Sequence, residues 1–164
     1  MNFIGTDSET FVEKLYEMVM EDQKDKGEKL TIDTGDSNEK EELSPFIIKH
    51  WLNFAVYYEK AATHFIGGWL KTTEKSDALV DFAHQIEDEA NHYVWLRKYL
   101  ADYVENPDDF TPPREWVYLM EEYYPGLKTL EERLAAHNIA SESAALGFME
   151  FALDRLPEKM KKTI

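Results

Sequence analysis

Glu89, Ala90, Asn91 and His92 spell Glu-x-x-His, a spacing that can do chemistry. Side chains three apart share one face of a helix, so this carboxylate and this imidazole reach a single metal ion. The pair interrupts an apolar stripe in which Leu79, Phe82, Ile86, Glu89, His92 with Tyr93, Leu96 and Leu100 recur at three- and four-residue steps. A carboxylate there faces a core, and an unpaired buried carboxylate is costly enough to demand a partner or a shifted pKa. A metal ion is one such partner. The alternative is an accident of an acidic composition, with His92 a hydrogen-bonded core residue. The preceding helix tips the balance.

That helix begins at Ser44-Pro45, an N-cap hydroxyl followed by proline at the first helical position, and runs to about Lys71. Its inner stripe is Ile48, Leu52, Ala55 with Val56, Glu59, Ala62 with Thr63, Ile66 and Leu70. Glu59 is the one acidic residue on it. Gly67-Gly68, near its end, either admits a close neighbour or marks fraying. A turn around Thr72 to Asp77, with Ser76 or Asp77 as the next N-cap, makes the two helices antiparallel neighbours. Glu59 lies 15 residues before Glu74 and Glu89 lies 15 after it. At ~1.5 Å rise per residue the two carboxylates stand at one level. Like charges so placed repel, so one is protonated or a cation lies between them.

Further on, ENPDDFTPP at 105–113 breaks the helix, and a short one from Pro113 through Tyr124 carries Trp116, Tyr118, Leu119 and Tyr123 as a packing element or an aromatic lid. After Pro125-Gly126, Thr129 with Glu132 forms a capping box that opens a helix to about Leu156. On it Ile139, Glu142, Leu146, Met149 and Leu153 share a face, so Glu142 is a third acidic residue within an apolar stripe. Glu150 and Asp154 read as solvated.

The 164 residues predict one domain with its own core: a first amphipathic helix over 8–26, a polar connection over 27–44, bundle helices over 45–156 and a basic tail over 157–164. Thr6 with Glu9 and Gly27 punctuate the first helix. A hydrophobic content of 43% argues against disorder, and the net charge of −15 repels phosphates and argues against a nucleic-acid partner. The absence of Cys excludes disulfides, catalytic thiolates and thiolate-ligated metal. No signal peptide or membrane span is visible, so the expectation is an acidic cytoplasmic protein with no membrane partner.

One helix with Glu59, a second with Glu89-x-x-His92 thirty residues on, and a third with Glu142 resemble the ferritin-like di-iron carboxylate superfamily, which includes ribonucleotide reductase small subunits, bacterial multicomponent monooxygenases, rubrerythrins and ferritins. EDEANH is similar to its Asp-Glu-x-x-His signature, and the resemblance covers about residues 45–156. It implies an all-α, antiparallel ferritin-like helical bundle with an additional N-terminal helix. It also implies iron as cofactor, two ions in a completed site, with manganese as the alternative. Glu59 would be a terminal ligand, Glu89 and Glu142 would bridge or bind terminally, and His92 would ligate the first iron. The implied function is a non-haem di-iron oxidase or oxygenase acting on dioxygen and a small-molecule substrate. Tyr57, Tyr58 and Tyr93 fall within a turn of the ligands and are candidate hydrogen-bonding or redox partners, with core packing as the alternative.

The pattern departs from the family in one respect: no second Glu-x-x-His follows Glu142. Three explanations stand open: a last helix missing from a fragment, a homodimer that completes the site as in half-ferritins, or a bundle that has lost its metal. They carry the alternative functions, an iron-handling ferroxidase and a metal-free helical binding module. A weaker variant takes His84, Asp88 and His92, at four-residue steps, as the ligands, resembling the histidine-rich helix of haem-oxygenase-like di-iron oxidases.

Overall fold

The computed structural model describes residues 42–153 and 155–161, the side chains of 148–151 excepted. The helix expected over 8–26, its capping box and most of the 27–44 connection lie outside the described residues. Within them every regular element is helical and the fold is all-α.

Helix α1 spans Pro45–Leu70, and the Ser44 hydroxyl accepts from the Ile47 amide as the sequence predicts. Helix α2 spans Ser76–Leu100, with Lys75 rather than Ser76 or Asp77 at the N-cap and no side-chain cap bond. The two are antiparallel: Trp69 meets Phe82 at 5.5 Å between rings, while Leu100, at the other end of α2, joins Ile48, Leu52 and Val56. A Cβ on Gly67 or Gly68 would meet nothing within 4 Å, so neither glycine admits a close neighbour, and the helix continues through both.

The third element, α3 (residues 114–126), winds from Arg114–Tyr118 through a π-helical stretch Leu119–Tyr123 to a last turn Tyr124–Gly126. Met120 and Tyr124 are buried, and the Tyr124 carbonyl accepts from the Trp69 indole at 2.9 Å. Tyr118 and Tyr123 face solvent. Core packing therefore accounts for the inner residues of this element. The fourth, α4 (residues 130–153), opens on the predicted capping box of Thr129 and Glu132 over Leu130–Arg133, passes through a longer π-helical stretch Leu134–Ser141, and ends as an α-helix over Glu142–Leu153. A short α5, Glu158–Lys161, buries Met160.

Two apolar clusters hold these helices together. One gathers Ile48, Leu52, Val56 and Leu100 with Ala152, Leu156 and Met160. The other gathers Ala62, Phe65, Ile66, Trp69, Phe82, Met120 and Tyr124. On α1 they are separated by the turn that carries Glu59, and on α2 by the turns that carry Glu89 and His92. The polar residues occupy a waist between two dry regions, and the helices that cross it are fixed on both sides.

Arg133 clamps the second cluster. Its buried guanidinium donates to the carbonyls of Trp69 and Leu127 and to the hydroxyls of Thr72 and Thr73, and lies 5.7 Å from the centre of the Trp69 ring. Arg133→Met removes the donors but keeps the apolar stem, leaving buried acceptors without partners. It is expected to cost about 2–3 kcal/mol of stability, read by urea unfolding. An unchanged midpoint would show that the clamp contributes nothing net. Among the described residues no helix is long and apolar enough to cross a membrane.

Candidate metal centre

Glu59, Glu89 and His92 meet as the sequence predicts. His92 Nδ1 lies 3.4 Å from Glu89 Oε2 and 3.6 Å from Glu59 Oε2. The second distance is an ion-pair contact too long for a hydrogen bond, and Glu59 Oε2 is a buried oxygen with no hydrogen-bond partner. Burial drives the Glu59 carboxyl up from its ordinary value to about 8. Burial pushes Glu89 the same way, but the bonds from His92 and Glu59 outweigh it and hold Glu89 below the ordinary carboxylate value. His92, between the two, is raised to about 10 by Glu59 first and Glu89 second. Its side chain is 48% exposed, whereas that of Glu89 is 7%. Without a metal the imidazolium supplies the positive charge that two adjacent carboxylates require.

A second group forms on the other side of Glu89. Glu89, His137 and Glu142 each offer a ligand atom within 4.8 Å of the others, as do Glu59, Glu89 and His92. Ligand bonds of ~2.0–2.3 Å let one ion bridge such a span with small side-chain adjustments. Glu89 belongs to both groups. The arrangement is two adjacent positions with a common carboxylate, each completed by one further Glu and one His.

His137 was not singled out from the sequence. It precedes Glu142 by five residues, and ordinary α-helical winding would turn the two about 140° apart. The π-helical stretch Leu134–Ser141 widens the turn to i→i+5 and brings them to one face, with His137 Nε2 3.6 Å from Glu142 Oε1. The Ser141 hydroxyl, which donates to the Ala136 carbonyl five residues back, supports that winding. The ring of His137 is fully buried among Tyr58, Phe65, Trp69 and Tyr124. Burial lowers its pKa and keeps it neutral, the form that ligates metal. Burial also raises the Glu142 carboxyl.

Tyr58 joins His137 and Glu142 of the second group. Its hydroxyl donates to Glu142 Oε1 at 2.9 Å and lies 2.8 Å from His137 Nε2. Burial and the Glu142 charge drive the phenol far up, so it remains protonated. Tyr57 instead donates to Glu121, and Tyr93 to Asp108 beside the Arg97–Asp108 ion pair, so both hydroxyls engage other carboxylates. His84 and Asp88 are exposed on α2 and belong to neither ligand group.

Two open grooves run along α2 and meet at Asp88. One, about 820 Å³, lies between the first half of α2 and Leu130, Leu134 and Asn138; the other, about 490 Å³, lies beside His92 and Trp95. Comparison with known proteins gives no matching family model, curated protein or solved structure.

The donor set fits a pair of first-row transition-metal ions. Three carboxylates and two imidazoles are oxygen-rich with one nitrogen per position, which suits iron or manganese better than a closed structural zinc site. The buried oxygen of Glu59 that has no hydrogen-bond partner is one that a cation would satisfy.

Proposed function

We propose that this chain is a non-haem di-iron oxidase or oxygenase of the ferritin-like kind, manganese being the alternative metal. The observation that carries the reading is the sharing of Glu89 between two ligand groups inside one chain. A chance acidic cluster would not alternate Glu and His on both sides of one buried carboxylate. When bound, the metal pair supplies dioxygen activation and redox equivalents. The chain's own residues do the rest. Glu59 and His92 would hold one ion and His137 and Glu142 the other, with Glu89 available to both. The apolar clusters above and below exclude water along α1, and while the second position holds no ion the Tyr58 hydroxyl keeps a proton at Glu142 Oε1.

Loading with ferrous iron under anaerobic conditions and then admitting oxygen tests the reading. About two irons per chain and oxygen uptake in proportion to iron are expected from the donor set. Protein that takes up no iron would overturn it.

The iron-handling alternative has one observation in its favour. His92 is half-exposed at an open groove that carries Asp88, so ions have a short path from solvent. Steady turnover of ferrous iron to ferric product, without an organic substrate, would select that reading. In this reading His137 of the same chain would supply the second imidazole that the homodimer alternative assigns to a second copy.

A further inference from the structure

His137 is tied through its other nitrogen to an amide pair. Gln85 Nε2 lies 3.4 Å from His137 Nδ1 and donates to Glu89 Oε1 at 3.5 Å, while Gln85 Oε1 accepts from Asn138 Nδ2 at 3.1 Å. An amide nitrogen only donates, so Nδ1 offers its lone pair to Gln85 and the imidazole proton sits on Nε2. There it points at the Tyr58 oxygen, whose own proton goes to Glu142. A single chain of donors runs Asn138, Gln85, His137, Tyr58, Glu142. At its head, Asn138 Oδ1 is buried and has no partner.

That direction is wrong for a metal at the second position. Nε2 is the nitrogen that faces Glu142, and to ligate an ion it must give up its proton. The Tyr58 hydroxyl, 2.8 and 2.9 Å from the two ligand atoms, stands where the ion would be and must turn aside. The remaining imidazole proton then belongs on Nδ1, which needs an acceptor rather than a donor. Turning the Gln85 amide over puts Oε1 there. Its NH₂ then faces Asn138, and turning that amide as well presents Oδ1, the atom now without a partner. In the reversed order the Nδ1 proton has an acceptor in Gln85 Oε1 and the Gln85 NH₂ has one in Asn138 Oδ1, while Gln85 gives up its bond to Glu89 Oε1, a carboxylate the ion would then engage.

We propose that Gln85 and Asn138 are positioning residues that form a reversible amide relay, whose reversal moves the His137 proton from Nε2 to Nδ1 when an ion occupies the position between His137 and Glu142. The inference rests on the metal-centre reading. It assigns the relay to the second position alone, because His92 has its own partners in Glu59 and Glu89.

Zinc, a diamagnetic ion that can occupy a mixed Glu/His position, serves as the probe. Long-range proton–nitrogen NMR of the imidazoles reads which nitrogen of His137 carries the proton, before and after zinc. The metal-free protein is expected to show Nε2–H and the zinc form Nδ1–H. Gln85→Leu, which removes the acceptor, is expected to weaken zinc at His137 by about 10–100-fold. Gln85→Glu, an acceptor without turning over, is expected to restore affinity to within a few-fold of the parent. Asn138→Asp fixes an acceptor opposite the Gln85 NH₂ and is expected to bind zinc at least as tightly as the parent. A merely structural role predicts loss for both acidic variants. Zinc bound with Nδ1 unprotonated, or Gln85→Leu binding as tightly as the parent, would overturn the relay and leave the metal centre standing. Failure of the parent chain to bind zinc, manganese or iron would overturn both.

Discussion

Glu89→Ala is expected to abolish metal binding at both positions, whereas His92→Ala and Glu142→Ala are each expected to leave about one ion per chain. The difference follows from topology. Glu59 and His92 serve one group, His137 and Glu142 serve the other, and only Glu89 serves both. Glu89 is also the carboxylate held charged by its neighbours, so in the metal-free protein it already carries the negative charge a cation seeks. Its replacement by Ala leaves His92 and Glu59 facing each other, so the fold has a remaining ion pair and far-UV circular dichroism should be preserved. Iron per chain, by elemental analysis after anaerobic loading, is the measurement. If Glu89→Ala keeps either ion, the two groups are independent sites, and the shared-carboxylate argument for paired chemistry fails.

The contrast between Glu89 and His137 shows what could be read from sequence. Ser44-Pro45 and the Thr129/Glu132 box marked helix starts because caps act within three residues of chain. Glu59, Glu89 and His92 were legible for the same reason. Both helices wind regularly through them, so stripe position and level along the axis translate directly into proximity. Glu142 was found, but on the wrong stripe: Leu146 is 65% exposed and Leu153 39% exposed, so the face drawn through them is not the one that packs. The π-helical stretch shifts the register upstream of Glu142, and a pattern search at 3.6 residues per turn cannot see that shift. A five-residue interval between His137 and Glu142 was the available signal, and it carries meaning only once the wider winding is known. Tyr58 was named beside Tyr57 and Tyr93 but could not be told from them, since what distinguishes it is the direction of one hydroxyl, and Gln85 was beyond pattern altogether.

Metal and pH are expected to act on stability in opposite senses. In the metal-free protein Glu59 titrates near 8 instead of 4.5, because of burial, and His92 near 10 instead of 6.5, because of Glu59 and Glu89. Both folded values lie above the unfolded ones. The stability these groups contribute is therefore fully present below about 4.5 and 6.5, and is lost as pH rises through about 8 and about 10. Metal ligation needs both groups deprotonated, so binding at neutral pH releases protons and tightens as pH rises. An ion present at a thousand times its Kd adds about 4 kcal/mol per position, and more of that becomes available at each step upward in pH. Thermal unfolding of chelator-treated and manganese-loaded protein between about pH 6 and 8.5 reads both effects. The chelated form should lose Tm across this range while the gap to the loaded form widens. A gap that stays constant would mean that neither Glu59 nor His92 gives up a proton to the ion, and the first metal position would have to be withdrawn.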